Sequence, residues 1–314
     1  MTWRIDDPQG NEAAKVKYLI VPYTRGRGLD LGCGPFKAFP HFIGVDNGHH
    51  AKQFGWQMQP DVHVETCESL PLFASGSMDF VFSSHLLEHI EDTRKTLKEW
   101  WRVLRNGGYL VLYLPHKELY PNIGQPGANP DHKHDFLPSD VIEHMREVGD
   151  WDLVVNETRG DGFEYSFFQV YKKNSNGKCS LTFDRPKPDK TACFVRYGGI
   201  GDLLQAATIA PALKAEGYHV TMVTTPHGAE LLYGNPHIDA FLVQDKDQVP
   251  NEELGPYWAA WTKRFDRFIN LCEVVEGGLL AMPGRMSHNW STAARQKILG
   301  TVNYYERMAD IAGT

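Results

Sequence analysis

Little in this sequence points to a membrane, a disulfide framework or nucleic acid. No apolar run approaches the ~20 residues that a membrane-spanning helix needs. The opening MTWRIDDPQGNEAAKVKYL has no apolar stretch behind a basic end, so it does not read as a signal peptide. Cysteine is sparse. Cys33, Cys67, Cys179, Cys193 and Cys272 are scattered, odd in number and without a CxxC pair, which speaks against zinc or redox chemistry. The expectation is reduced thiols in a cytoplasmic protein. The net charge is −7, with both signs spread along the chain, so a broad basic surface for nucleic acid is not expected. No internal repeat stands out, and nothing in the sequence specifies an oligomeric state.

What is present suits two α/β domains. At 314 residues the chain exceeds one typical domain, and its 42% hydrophobic content is enough for ordinary cores. Two blocks each read as strand, turn, helix, strand. They flank KKNSNGKCSLTFDRPKPDK, a polar stretch with the composition of an exposed linker and a short strand expected at Ser180 to Phe183. The expected division is residues 1–173, a linker at 174–190, and residues 191–314.

In the first block, strands are expected at Gly28 to Leu31, His41 to Val45, Val62 to Val64, Met78 to Ser83 and Tyr109 to Leu114. Asp92 should cap a helix whose Leu97, Trp101 and Leu104 share one face, with Trp100 and Trp101 in the core. Asn106-Gly107-Gly108 reads as that helix's stop. A further helix is expected near Pro138 to Val148. Two late strands, Trp151 to Glu157 and Tyr165 to Tyr171, lie close enough to pair antiparallel. Alternation of this kind implies a mostly parallel sheet with helices on both faces.

Ligands of such sheets sit at the carboxyl ends of the strands, at the switch point. Gly32 and Gly34 end the first strand and let the backbone approach a ligand. Asp46 ends the second and can accept both hydroxyls of a ribose diol. Taken alone, this is equally a tight βα turn with a surface acid. The wider stretch GLDLGCGP…GVD…ESLPLFASGSMDFVFSSHLLEHIEDTRKTLKEWWRVLRNGGYLVLYLP resembles the class I methyltransferases over roughly residues 25–172. The resemblance implies S-adenosyl-L-methionine as cofactor. It implies contacts from Asp30, Gly32, Cys33 and Gly34 in the glycine turn, from Asp46 and Asn47 at the ribose, and from Thr66 and Cys67, with Glu68, at the adenine. Thr66 stands where the family often has Asp. Ser83, Ser84 and His85 would line the methyl-transfer side. Only Pro35 to Pro40 separate Gly34 from the second strand, so the first helix should shrink to a turn or two. That weakens a nicotinamide-dinucleotide reading, because pyrophosphate relies on a helix N-terminus.

Methyl transfer to a hydroxyl needs positioning and a base. The candidate bases are His85, His132 and His134, with His89 and His116 nearby. The plain readings are a packed or capping histidine at His89 and a solvated turn at DHKHD. A metal set of Asp131, His132, His134 and Asp135 is possible but not expected, since His-x-His spacing does not specify zinc. The long loop at 116–137, rich in proline and glycine, is expected to be an acceptor-side lid.

In the second block, strands are expected at Ala192 to Arg196, Tyr218 to Thr225, Ile238 to Val243 and Asp266 to Cys272. The run CFVRYGGIGDLLQAATIAPALKAEGYHVTMVTTPHGAELLYGNPHIDAFL resembles the opening of the family-nine, heptosyltransferase-like glycosyltransferases. That resemblance implies the acceptor half of a GT-B-like fold with Asp202 as base, while the plain reading of Asp202 is a helix cap. No Walker lysine accompanies its glycines, and the chain reads as stopping where a donor half would begin. The fold class expected is therefore α/β, with two Rossmann-like domains. The function expected is S-adenosylmethionine-dependent methyl transfer to a small molecule, carbohydrate or glycoconjugate. The competing class is a non-catalytic glycan- or partner-binding protein on a degenerate methyltransferase fold.

Overall fold

The computed structural model describes residues 11–49, 60–181, 188–272, 291–301 and 303–314. The chain divides into two compact units, Met1–Arg185 and Pro186–Thr314.

The first unit is built on an eight-stranded sheet. After a short helix α1 (Ala13–Val16) come β1 (Gly28–Leu31), β2 (Ile43–Asp46), β3 (Val62–His63) and β4 (Met78–Ser84). Helix α2 (Thr93–Val103), β5 (Leu104–Pro115), α3 (Pro138–Met145), β6 (Trp151–Arg159), β7 (Ser166–Lys173) and β8 (Ser180–Leu181) follow. The strand order is β3-β2-β1-β4-β5-β7-β6-β8. Strands β1 to β5 pair in parallel, and β7 runs antiparallel to both β5 and β6. The strand expected at Ser180 to Phe183 is seen at Ser180–Leu181, parallel to β6, and Phe183 lies outside the described residues.

Strand β4 shows why the central strands read as continuous apolar runs. Phe80, Val81 and Phe82 are all fully buried, because both faces of the sheet are covered. One face carries α2, whose Leu97, Trp100 and Trp101 pack with Val81, Leu29 and Leu31. The buried indole N–H of Trp100 donates to the Cys67 carbonyl at 2.8 Å, and that of Trp151 to the Met145 carbonyl at 2.8 Å. Asp92 caps α2 through the Lys95 N–H at 3.0 Å.

The opposite face departs from expectation. The connection from β1 to β2 contains no helix at all, only turns. A parallel crossover ordinarily spends a helix here. Two phenylalanines take its place. Phe39 and Phe42 are fully buried, and the Phe42 ring lies 4.6 Å from that of Phe80 and 6.3 Å from that of Phe82. Buried Asp30 accepts the Ala38 N–H at 2.8 Å, and Lys37 Nζ donates to the Pro40 and Phe42 carbonyls. The loop thus covers the sheet with rings and satisfies its backbone with side chains.

A second departure concerns Asn106-Gly107-Gly108. It is not a helix stop. Helix α2 ends at Val103 and the chain passes directly into β5, with these residues inside the strand at an irregularity in its pairing with β4. A Cβ at Gly108 would lie 2.7 Å from the Asp79 carbonyl oxygen, so glycine permits that close approach.

The second unit has a four-stranded parallel sheet, order β11-β10-β9-β12. Its elements are β9 (Thr191–Val195), α4 (Ile200–Ala207), α5 (Ala210–Ala215), β10 (His219–Thr224), α6 (Pro226–Leu231), β11 (Ala240–Val243), α7 (Leu254–Thr262), β12 (Arg267–Asn270), α8 (Thr292–Thr301) and α9 (Tyr304–Ala312). Its core gathers Phe194, Leu203, Leu213, Met222, Ile269 and Met308. Among the described residues of either unit, no helix is long and apolar enough to cross a membrane.

Candidate active site

The strand order of the first unit reverses between β1 and β4, and a cavity of about 470 Å³ opens there. Gly32 follows β1, Asp46 and Asn47 end β2, and Thr66, Cys67 and Glu68 follow β3. His85 and Leu86 follow β4, with His89 and Ile90 just beyond. Pro130 to Lys133 reach in from the loop between β5 and α3.

The glycine turn is set by backbone conformation. Gly32 has φ +69° and Gly34 φ +51°, in the left-handed region that a side chain disfavours. A Cβ on Gly32 would meet the Leu86 side chain at 3.0 Å, whereas one on Gly34 would meet nothing within 4 Å. Asp46 Oδ2 accepts the Gly34 N–H at 2.9 Å and Oδ1 the Gly48 N–H at 2.6 Å. An ionised carboxylate offers about four lone-pair sites. Two are taken by the backbone, which leaves two for a diol and fixes the group's direction.

The far end of the cavity is rich in imidazole. His85 adopts φ +49°, unusual for a residue with a side chain and tolerated better by His than by most. Its Nε2 lies 2.9 Å from Ser166 Oγ. Burial pushes its pKa well below the ordinary value, with the charges of Lys15, His132 and His89 acting in the same direction, so the ring is neutral at pH 7. His132 is buried and likewise pushed down by burial. Glu88 is fully buried between them. Burial raises its carboxyl to about 8.

A family model for a methyltransferase domain matches residues 29–112. The chain is 28% identical to the trans-aconitate 2-methyltransferase of Deinococcus radiodurans over 166 residues. The first unit carries a class I methyltransferase domain. Its cofactor is S-adenosylmethionine. The alignment covers 48% of this chain and 59% of that relative, so the chain spans little more than half of it. An uncharacterised protein of Methanocaldococcus jannaschii is 26% identical over 155 residues, 46% of this chain and 74% of that one. The solved structure of an S-adenosylmethionine-dependent methyltransferase from Mesorhizobium loti is similar with a TM-score of 0.41 at 17% identity, covering 52% of this chain and 99% of that chain.

Of the residues expected to serve the methyltransferase, Gly32, Asp46, Asn47, Thr66, Cys67, His85 and His132 line the cavity. Others do not. Asp30 is turned into the β1–β2 loop, where burial raises its carboxyl to about 7. Cys33 is buried, its thiol pushed up by burial. Ser83 is buried in β4. Gly34 reaches the site only through Asp46. His134 is turned away, its Nε2 3.2 Å from the Glu91 carbonyl and its ring stacked on Phe136. The set Asp131, His132, His134 and Asp135 does not converge. Asp135 instead accepts the Ile123 N–H at 3.0 Å. His116 Nδ1 accepts the Glu118 N–H at 3.1 Å.

Glu88 is the residue that sequence reasoning passed over. It sits in HLLEHI between two histidines, whose imidazoles are the more obvious bases. Its only sequence signal is a charge within an apolar run.

In the second unit, Asp202 occupies the first turn of α4 and accepts the Gly199 N–H at 3.0 Å through Oδ2. Its Oδ1 accepts from the guanidinium of Arg196 at 2.7 Å. Arg196 is fully buried and also donates to the Leu271 carbonyl at 3.0 Å.

Proposed function

We propose that the cavity holds S-adenosylmethionine with its methionine portion over Gly32, its ribose on Asp46 and its adenine beside Thr66, Cys67 and Glu68, and that the acceptor enters at the His85–His132 end. The observation that carries this reading is the Asp46 carboxylate, aimed by two backbone N–H groups yet retaining lone pairs toward the opening. The cofactor supplies an electrophilic methyl group when bound. The chain's own part is to orient the acceptor and take its proton. His85 is neutral and held by Ser166, so it can accept a proton from a hydroxyl. Pro130 to Lys133 form the outer wall, and the Lys133 and His134 N–H groups both donate to the Glu88 carbonyl, at 2.8 and 3.2 Å. This tie supports the loop at 116–137 as the acceptor's cover.

The acceptor class is a small polar molecule or a carbohydrate. The relative named for trans-aconitate makes that compound one arm of the test. Purified protein is incubated with methyl-labelled cofactor and separate panels of hydroxylated small molecules, glycans and trans-aconitate. Label should pass to a member of the first two panels and be lost in His85→Ala while cofactor binding persists. Transfer at wild-type rate in His85→Ala would remove it as the base.

For the second unit, the resemblance to a glycosyltransferase acceptor half supports a docking or acceptor-binding role without sugar transfer. Asp202 is held by Gly199 and Arg196, which suits a cap better than a mobile base. Nucleotide release from a panel of nucleotide sugars, abolished in Asp202→Ala, would reverse this reading.

A further inference from the structure

Glu88 poses a problem that the methyltransferase reading leaves unsolved. Its side chain is 0% exposed, and among the described residues neither carboxylate oxygen has a hydrogen-bond partner. Leaving a buried polar group unsatisfied costs about 1–3 kcal/mol, and more for a charged one. Yet the protein surrounds this group with imidazole. Glu88 Oε1 lies 3.6 Å from His85 Nδ1, 3.9 Å from His89 Nε2 and 3.9 Å from His132 Nε2.

These separations are too long for direct hydrogen bonds. They approach those of ligands sharing one ion. Bond lengths near 2.0–2.1 Å place the ligand atoms of a tetrahedral site roughly 3–3.5 Å apart. The Glu88 carboxylate, His89 and His132 each present a ligand atom, and all of these lie within 4.8 Å of one another. Small side-chain rotations close the remaining gap. The ring of His89 is already directed for the purpose. Its Nδ1 sits 3.2 Å from the Asp131 carbonyl, so Nδ1 carries the proton and Nε2 presents a lone pair toward Glu88. A carbonyl on the far nitrogen is the usual outer partner of a metal-binding histidine. Two further bonds hold the parts together: the Lys133 and His134 N–H groups both donate to the Glu88 carbonyl, so the two residues that follow His132 are fixed to the turn that carries Glu88 and His89.

We propose that Glu88, His89 and His132 form a binding site for one divalent transition-metal cation of the zinc type, at the acceptor end of the cavity. Two imidazoles and one carboxylate are a borderline donor set that suits such ions better than magnesium or calcium. Three protein ligands leave a position open. Because His89 and His132 line the cavity, that position is available to water or to an oxygen of a bound acceptor. The binding claim goes beyond the proposed methyl transfer and stands without it. Only the acceptor-side role rests on that reading.

The test uses the full chain, untagged, stripped with a chelator and without cofactor. Cobalt is titrated as a spectroscopic probe and zinc as its competitor. One equivalent of cobalt should bind per chain, with visible absorption of a low-symmetry site that zinc abolishes. Glu88→Gln, His89→Ala and His132→Ala should each weaken zinc by more than about tenfold, the lower end of what even outer-shell changes cost. His63→Ala removes an exposed imidazole outside the cavity and should leave affinity unchanged. Circular dichroism identifies any variant that fails to fold. Glu88→Gln preserves size and should keep the fold even if an alanine variant does not. S-adenosylmethionine binding, measured on the same metal-free samples, separates failure of the metal site from failure of the cofactor reading. Absence of a stoichiometric cobalt complex would overturn the proposal, as would wild-type affinity in Glu88→Gln or an equal loss in His63→Ala.

Discussion

Both units open with the same device, a buried parallel strand running into a glycine turn beside an acid, and they dispose of that acid differently. In the methyltransferase unit, Asp46 comes from the neighbouring strand, is aimed by Gly34 and Gly48, and still faces a cavity. In the second unit, Asp202 lies within the turn's own helix and is engaged by Gly199 and Arg196. Their buried ionisable groups differ as well. Asp30 accepts a backbone N–H, whereas Arg196 has a carboxylate. A glycine turn with a nearby acid therefore identifies the end of a buried parallel strand, with or without a helix after it. Whether it is a site depends on what lone pairs remain and where they face.

Five substitutions would break or sharpen this contrast. The largest effect is expected from Asp30→Asn. Burial raises the folded-state carboxyl from the ordinary 3.8 to about 7. Stability from keeping it protonated is full below pH 3.8, declines as pH rises and is gone above about 7. The full difference is on the order of 4 kcal/mol. Asparagine does not titrate, so its stability relative to wild type should climb between pH 4 and 7 and then level off, as urea unfolding at stepped pH would reveal. A difference independent of pH would mean that Asp30 is ionised at no cost.

Asp202→Asn comes next. Stripping a buried charge of its partner costs roughly 3–5 kcal/mol. Asp202 is itself 34% exposed, so about 2–3 kcal/mol is expected after allowing for solvent screening. Cofactor affinity should not change, and a change would couple the two units. Asp46→Ala should do the reverse. It should weaken S-adenosylmethionine by about 1.5–3 kcal/mol, the scale for hydrogen bonds to a charged group, with calorimetry as the measurement. Wild-type affinity in a folded variant would move the ribose elsewhere. The smallest effect is expected from Gly34→Ala, about 1–2 kcal/mol of stability from a left-handed backbone carrying a Cβ. Gly32→Ala should cost more, because its Cβ also meets Leu86 at 3.0 Å. Equal losses in thermal unfolding would show that φ alone governs both positions.

Much of the first unit was legible because its central strands are buried on both faces and so read as unbroken apolar runs, from Gly28 to Leu31, Met78 to Ser83 and Tyr109 to Leu114. Part of the candidate site was legible for a related reason: Gly32 and Asp46, which line the cavity, are local to strand ends. What was not legible depends on distant contacts. Phe39 and Phe42 give no periodic signal, and only their packing on Phe80 and Phe82 shows that they replace a helix. Asn106-Gly107-Gly108 has the composition of a helix stop, and its role was decided by β4 lying alongside. His132 and His134 look equivalent in DHKHD, yet one faces the cavity and the other packs on Phe136. Glu88 became visible only when the fold brought residues 85–89 and 130–134 together.

The helix-free β1–β2 connection has an electrostatic consequence. A crossover helix would bring the positive end of its dipole to the glycine turn, and here none does. Asp46, Glu68 and Asp131 face the opening, and the ammonium of Lys133 is drawn to Glu91 at 2.7 Å. Such a field favours a cation over its uncharged counterpart. Methyl transfer turns the positively charged sulfonium into a neutral thioether, so with the cofactor seated as proposed the demethylated product would lose an attraction that the methylated form has. The expected result is a cleft that discriminates substrate from product by charge, and an enzyme that its own product inhibits only weakly.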